Sequence, residues 1–133
     1  MREILFRGKR VDNGEWSQGD LNYYHTGSGV FIAARDESEF CHRVITETVG
    51  QFTGLTDKNG KKIFEGDIIR FDYIGKNLGV NGVESVVFEN GKFGVKWGWH
   101  KDFVCLDDFA NTTLEIIGNI HDNPELLKGG EAE

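Results

Sequence analysis

The sequence predicts an all-β fold, a small roll or barrel, and three observations carry the prediction. Many short apolar runs are punctuated by 18 glycines and a single proline. Asn-Gly pairs, which readily take the positive φ angles of a two-residue hairpin loop, occur at 13–14, 59–60, 81–82 and 90–91. No segment sustains a helical period over several turns.

Taken in order, the N-terminal third reads as strands at Glu3 to Arg7, Trp16 to Tyr24, Val30 to Ala33 and Arg43 to Val49, with Thr26 to Gly29 as a loop. Asp36 to Phe40 has room for one helical turn. Ile63 to Tyr73 is a strand interrupted at Gly66-Asp67, because glycine inside an apolar run marks a bend or bulge; Ile69, Phe71 and Tyr73 then share a face. The clearest hairpin spans Glu84 to Trp97. Closing it at Asn90-Gly91 sets Glu89 opposite Lys92, Phe88 opposite Phe93, Val86 opposite Val95 and Glu84 opposite Trp97, giving one aromatic and aliphatic face. Asp107 to Ala110 has room for another helical turn. Leu114 to Ile120 is a further strand, stopped at Asp122-Asn123-Pro124. There Asn123 suits an N-cap and Pro124 the first position of a short C-terminal helical turn carrying Leu126 and Leu127.

A chain of 133 residues has the size of one domain. The expected organisation is a domain over 1–127, with N-terminal β elements over 1–49 and a barrel core over 50–122, followed by a flexible tail over 128–133. No apolar run is long enough to span a bilayer and no secretory signal pattern is present, so a cytoplasmic protein without membrane partners is expected. Cys41 and Cys105 have no C-x-x-C partner, and in a reducing compartment they are expected as free thiols. The formal charge of −7 disfavours non-specific attraction to phosphate backbones. The short basic clusters, Arg7 with Lys9 and Arg10, and Lys58 with Lys61 and Lys62, read as solvated turn residues.

The stretch Thr53-Gly54-Leu55-Thr56-Asp57-Lys58-Asn59-Gly60-Lys61-Lys62-Ile63-Phe64-Glu65-Gly66-Asp67-Ile68 is long and ordered. It closely resembles the signature of the YopX-like family, a T-G-L-x-D-x-N-G-x-x-I-[YF]-x-G-D-I pattern. The opening Arg2 to Lys9, the block at Trp16 with Gly19-Asp20-Leu21, and the ending Ile117-Gly118-Asn119-Ile120 with Asn123-Pro124 are similar as well. Essentially the whole chain is covered. The resemblance implies a phage or prophage origin, a bacterial host cell, and a mainly β structure with an SH3-like barrel; it supplies no activity, cofactor or catalytic set to carry over. The chemistry of the motif reads as structural. Asp57 suits turn amides, Asn59-Gly60 reverses the chain, Gly66 permits a bend and Asp67 is placed to tie it, with Thr53 and Gly54 leading in.

Candidate chemistry is sparse. Asp67, Asp72, Asp107 and Asp108 are not spaced to specify a general acid and base pair. His25, His42, His100 and His121 are scattered, and Cys41 and His42, adjacent on an extended segment, point to opposite faces, so no metal site is expected. No nucleophile motif or phosphate loop appears, and no cofactor or small-molecule substrate is expected. The feature above background is the aromatic cluster at Trp97, Trp99 and His100. It would either fill the core or present indoles to a partner. The reading that follows is a non-enzymatic module that binds a protein or its own copies. Two alternatives stand beside it: single-stranded nucleic-acid binding on an aromatic face with Trp97, Trp99 and Tyr73, and a hydrolase using Asp67 or Asp107.

Overall fold

The protein is described here by a computed structural model covering residues 3–23, 29–34, 41–74, 79–97, 101–109 and 114–127. The chain is all-β. It forms two compact units, Met1–Gly54 and Leu55–Glu133.

The first unit is a curled antiparallel sheet. Its strands are β1 (Phe6–Lys9), β2 (Trp16–Tyr23), β3 (Val30–Ala34), β4 (Cys41–Val44) and β5 (Gly50–Thr56), in the order β4-β3-β2-β1-β5. Alternation decides which side is buried: Ser17 and Gly19 on β2 are inside, Gln18 and Asp20 outside. Val30, Ile32 and Val44 form the small core, with Phe6, Leu21 and Val49 packed on it. The curl brings the free side of β4 back to β1. Arg10 bridges Val44, the Val11 N–H donates to the Arg43 carbonyl at 2.9 Å and the Ile45 N–H to the Lys9 carbonyl at 2.8 Å. Gly8 makes the approach possible, since a Cβ there would lie 2.9 Å from the Val44 side chain. Residues 45–49, expected to continue the fourth strand, instead turn through a 3₁₀ helix at Thr46–Thr48. The Thr48 hydroxyl accepts from the Lys9 N–H at 2.9 Å.

β5 runs on past Gly54 into the second unit, where β6 (Lys62–Phe64) is its neighbour. The remaining strands are β7 (Asp67–Ile74), β8 (Gly79–Ser85), β9 (Val87–Glu89), β10 (Lys92–Trp97), β11 (Asp102–Cys105) and β12 (Leu114–Asn119). They form two three-stranded sheets, β12-β7-β8 and β11-β10-β9. Ile63, Ile69, Phe71, Val86, Val95, Leu106, Phe109 and Leu114 make the core, with Trp97 and Val104 among the residues packed against it. Each fully buried large side chain here contributes about 1.5–3 kcal/mol relative to exposure. Among the described residues no strand ladder closes a complete barrel. The expected turn near Asp107 is a 3₁₀ helix at Leu106–Asp108, and helical geometry returns at 125–127. The Asn123 side chain accepts from the Asn119 N–H at 3.3 Å. The segments at 24–28, 36–40 and 128–133 lie outside the described residues.

The long hairpin is corrected. Its tip is as expected: Asn90 and Gly91 have φ of 52° and 80°, and Glu89 faces Lys92 and Phe88 faces Phe93. The pairing ends at Val87 with Gly94. Beyond it Glu84 pairs with Ile69, and Trp97 and Val95 pair with Asp102 and Val104. Val86 is the point of transfer. Its N–H donates to the Asp67 carbonyl at 2.8 Å and its carbonyl accepts from the Gly66 N–H at 2.9 Å. One nearly continuous strand thus leaves one sheet for the other opposite the Gly66-Asp67 bend. The shared apolar face is corrected too, because Phe88 is 49% exposed.

Asn81-Gly82, which has the composition of a turn, lies within β8 with Gly82 facing Phe71. A Cβ at Gly82 would sit 2.4 Å from the Phe71 ring, so glycine is required by the aromatic lying across it. Gly82→Ala is expected to lower stability by about 1–3 kcal/mol through overpacking against a ring that cannot move aside. Urea unfolding followed by far-UV circular dichroism measures it, and a midpoint equal to that of the unaltered protein would contradict this packing.

Candidate functional site

The motif residues are buried in backbone chemistry. Asp57 is 3% exposed. Its Oδ1 accepts from the Asn59 and Lys61 N–H groups, each at 2.9 Å, and its Oδ2 accepts from the Ile116 N–H at 3.0 Å, across 59 residues of sequence. Beside it the Lys58 N–H donates to the Leu114 carbonyl at 2.8 Å. The turn closes with the Gly60 N–H on the Asp57 carbonyl and Gly60 at φ 82°. One carboxylate therefore shapes the turn and pins β12 at its bulge, where the register with β7 shifts between Ile116 and Gly118. Asp67, 2% exposed, accepts the Phe64 N–H at 2.7 Å and ties the bend at Gly66, whose φ is 93°. Thr53 is buried, while Gly54 and Asn59 are exposed.

The acids raised as catalytic candidates occupy unlike settings. Asp67 is enclosed and engaged as described; Asp72, Asp107 and Asp108 are exposed. His42 points inward, with its Nδ1 3.0 Å from the Ser17 hydroxyl, while Cys41 beside it is exposed; both cysteines are free thiols. Among the described residues no cluster of His, Cys, Asp and Glu has metal-site geometry, and no helix is long and apolar enough to cross a membrane.

Of the aromatic cluster, Trp97 is half-buried and lies edge-on to Phe71, with ring centroids 5.8 Å apart. Trp99, His100 and the Tyr73 side chain fall outside the described residues. Two aromatic features emerge that the sequence reading did not single out. Within β9, Phe88 packs at a tilt against Phe93, ring centroids 4.8 Å apart, with much of its ring in solvent, and β9 forms the edge of its sheet. On the outer face of the first unit, Arg7 and Lys9 flank Trp16, at 4.6 Å and 5.9 Å from the ring centroid. Arg7 and Lys9 are thus strand residues rather than turn residues, and of that cluster Arg10 pairs with Asp12 at 2.7 Å. The alternation of Arg7 with Lys9 and of Trp16 with Gln18, folded at Asn13-Gly14, was the signal for this face.

These features define a small all-β protein whose strands are held in place by two buried motif carboxylates. The sequence matches the YopX protein family over residues 5–128, and the chain belongs to that family. The crystal structure of protein EF1440 from Enterococcus faecalis has a similar fold, with a TM-score of 0.58 and 24% sequence identity, over 96% of this chain and 99% of that one. No curated protein matches the sequence.

Burial pushes the Asp57 carboxyl up, but the N–H groups of Ile116, Lys61 and Asn59, with the Lys61 charge, outweigh it and hold the group below the ordinary 3.8. Its charge therefore stabilises the fold fully above that value, and the contribution is lost as pH falls through the lower folded value. Asp57→Asn, which does not titrate, is expected to flatten the acid side of the stability profile, measured by urea midpoints at successive pH values. Asp57→Ala is expected to cost about 2–4 kcal/mol near neutral pH, since more than one buried N–H loses its acceptor. A loss below about 0.5 kcal/mol would mean that water replaces the carboxylate without penalty.

Proposed function

We propose that this chain is a non-enzymatic binding module that engages a protein, either a separate partner or a further copy of itself, through the β9 edge of the β11-β10-β9 sheet. The observation that carries the reading is Phe88. A large aromatic held 49% exposed on a strand at the end of its sheet combines two features that favour association: apolar area to bury and, among the described residues, an edge strand. The ring is braced by Phe93 rather than free to fold inward, which lowers the ordering cost of presenting it. Short length and the Glu89–Lys96 ion pair at 2.6 Å restrict unselective pairing along the same edge.

The motif acids support a role other than catalysis, because Asp57 and Asp67 are used as acceptors for the protein's own backbone. A phage or prophage origin and action in the cytoplasm of a bacterial host belong to the same reading and draw on the family.

Light scattering of the purified protein and a pull-down from lysogenic or infected cells test the proposal together. Phe88→Ser is expected to leave the circular dichroism spectrum unchanged and to abolish self-association or partner retention. Association that survives Phe88→Ser undiminished would place the contact elsewhere.

A further inference from the structure

We propose that the outer face of the curled sheet in the first unit binds single-stranded nucleic acid. Strand register assembles this face from four strands. Lys9 lies opposite Trp16 and Arg7 opposite Gln18, Asn22 opposite Phe31, and Phe31 opposite Arg43. Alternation puts Trp16, Gln18, Asp20 and Asn22 on the same side of β2. Gln18, Asp20 and Arg43 are exposed and Lys9, Trp16, Asn22 and Phe31 half-exposed, while Nε and Nη2 of Arg7 are buried beneath the surface.

Charge decides the class of ligand. The chain as a whole is acidic, at −7, yet among the described residues of this face Arg7, Lys9 and Arg43 stand against one acid, Asp20. An anionic ligand is therefore drawn to this part of the surface rather than to the molecule at large. The aromatics narrow the class further. Trp16 and Phe31 are six strand positions apart as projected on β2, about 20 Å, with the side-chain amides of Gln18 and Asn22 between them. Aromatic rings for stacking bases, cations beside them for phosphates, and amides for base edges are the parts of a single-strand platform. An acidic peptide would use the cations and leave the spaced rings without a role. Asp20 fits the same ligand as an acceptor for an exocyclic amino group. Arg7 and Lys9 hold the Trp16 ring by cation–π attraction, which orders the stacking surface before a ligand arrives.

The test is titration of the full chain with labelled mixed-sequence DNA and RNA single strands of about 15 nucleotides, at several salt concentrations, with a poly-glutamate competitor. Expected are quenching of tryptophan emission and affinity that falls with salt. Lys9→Gln and Arg43→Gln, which remove charge while leaving the sheet intact, should each reduce the slope of log affinity against log salt by about 1. Trp16→Leu should remove most of the quenching, whereas Phe88→Ser should change neither quantity. Should Trp16→Leu unfold the protein, the two charge variants still decide the matter. Absence of binding at low salt, salt slopes unchanged in both charge variants, quenching that persists in folded Trp16→Leu, or binding of poly-glutamate in preference to the oligonucleotides would each overturn the proposal.

Discussion

The second unit depends on the Asp57 carboxylate more than on any other single group. A β-sheet satisfies its backbone through its ladders, and wherever the ladder lapses an N–H is left without an acceptor. The chain has such a lapse at the 57–61 turn and another at the bulge in β12, and one carboxylate serves both. Asp67 repeats the solution on a smaller scale at the β6 to β7 bend. The motif that runs from Thr53 to Ile68 is therefore a set of acceptors and glycines arranged around irregular backbone. Its length follows from holding a turn, a strand and a bend in one register.

The elements legible in the sequence were those governed by local chemistry. Asn90-Gly91 closed its hairpin because both residues adopt positive φ, and Gly66 bent the chain where a side chain would resist. Free thiols at Cys41 and Cys105, and the inward His42 beside an outward Cys41, followed from spacing and alternation. What escaped was decided by distant residues. Asn81-Gly82 has the composition of a turn, but its glycine answers to Phe71 on the neighbouring strand. The hairpin register failed at Val86 because that residue bonds to Gly66 and Asp67 instead of continuing beside β10, and with that change Phe88 left the core.

The candidate sites follow the same division. Trp97 was identifiable as an aromatic at the end of a strand, but its edge-on packing against Phe71 required the tertiary fold. The Arg7, Lys9 and Trp16 part of the outer face rests on period-two alternation and one hairpin, whereas Phe31 and Arg43 join it only through the register of β3 and β4. Arg7 and Lys9 have the look of a short solvated turn cluster, and only their place on β1 sets them beside Trp16. A total of −7 describes how the protein behaves at distances beyond the roughly 8–10 Å over which salt screens charges. It says little about a face where two cations flank an indole.

The bridge between Arg10 and Val44 also bears on colloidal behaviour. An uncapped β4 would offer its backbone to the next molecule, and repeated addition at such an edge yields open-ended filaments. Here the molecule's own N-terminal strand already occupies part of that edge. The length of β4 open to such addition is shortened by the chain itself.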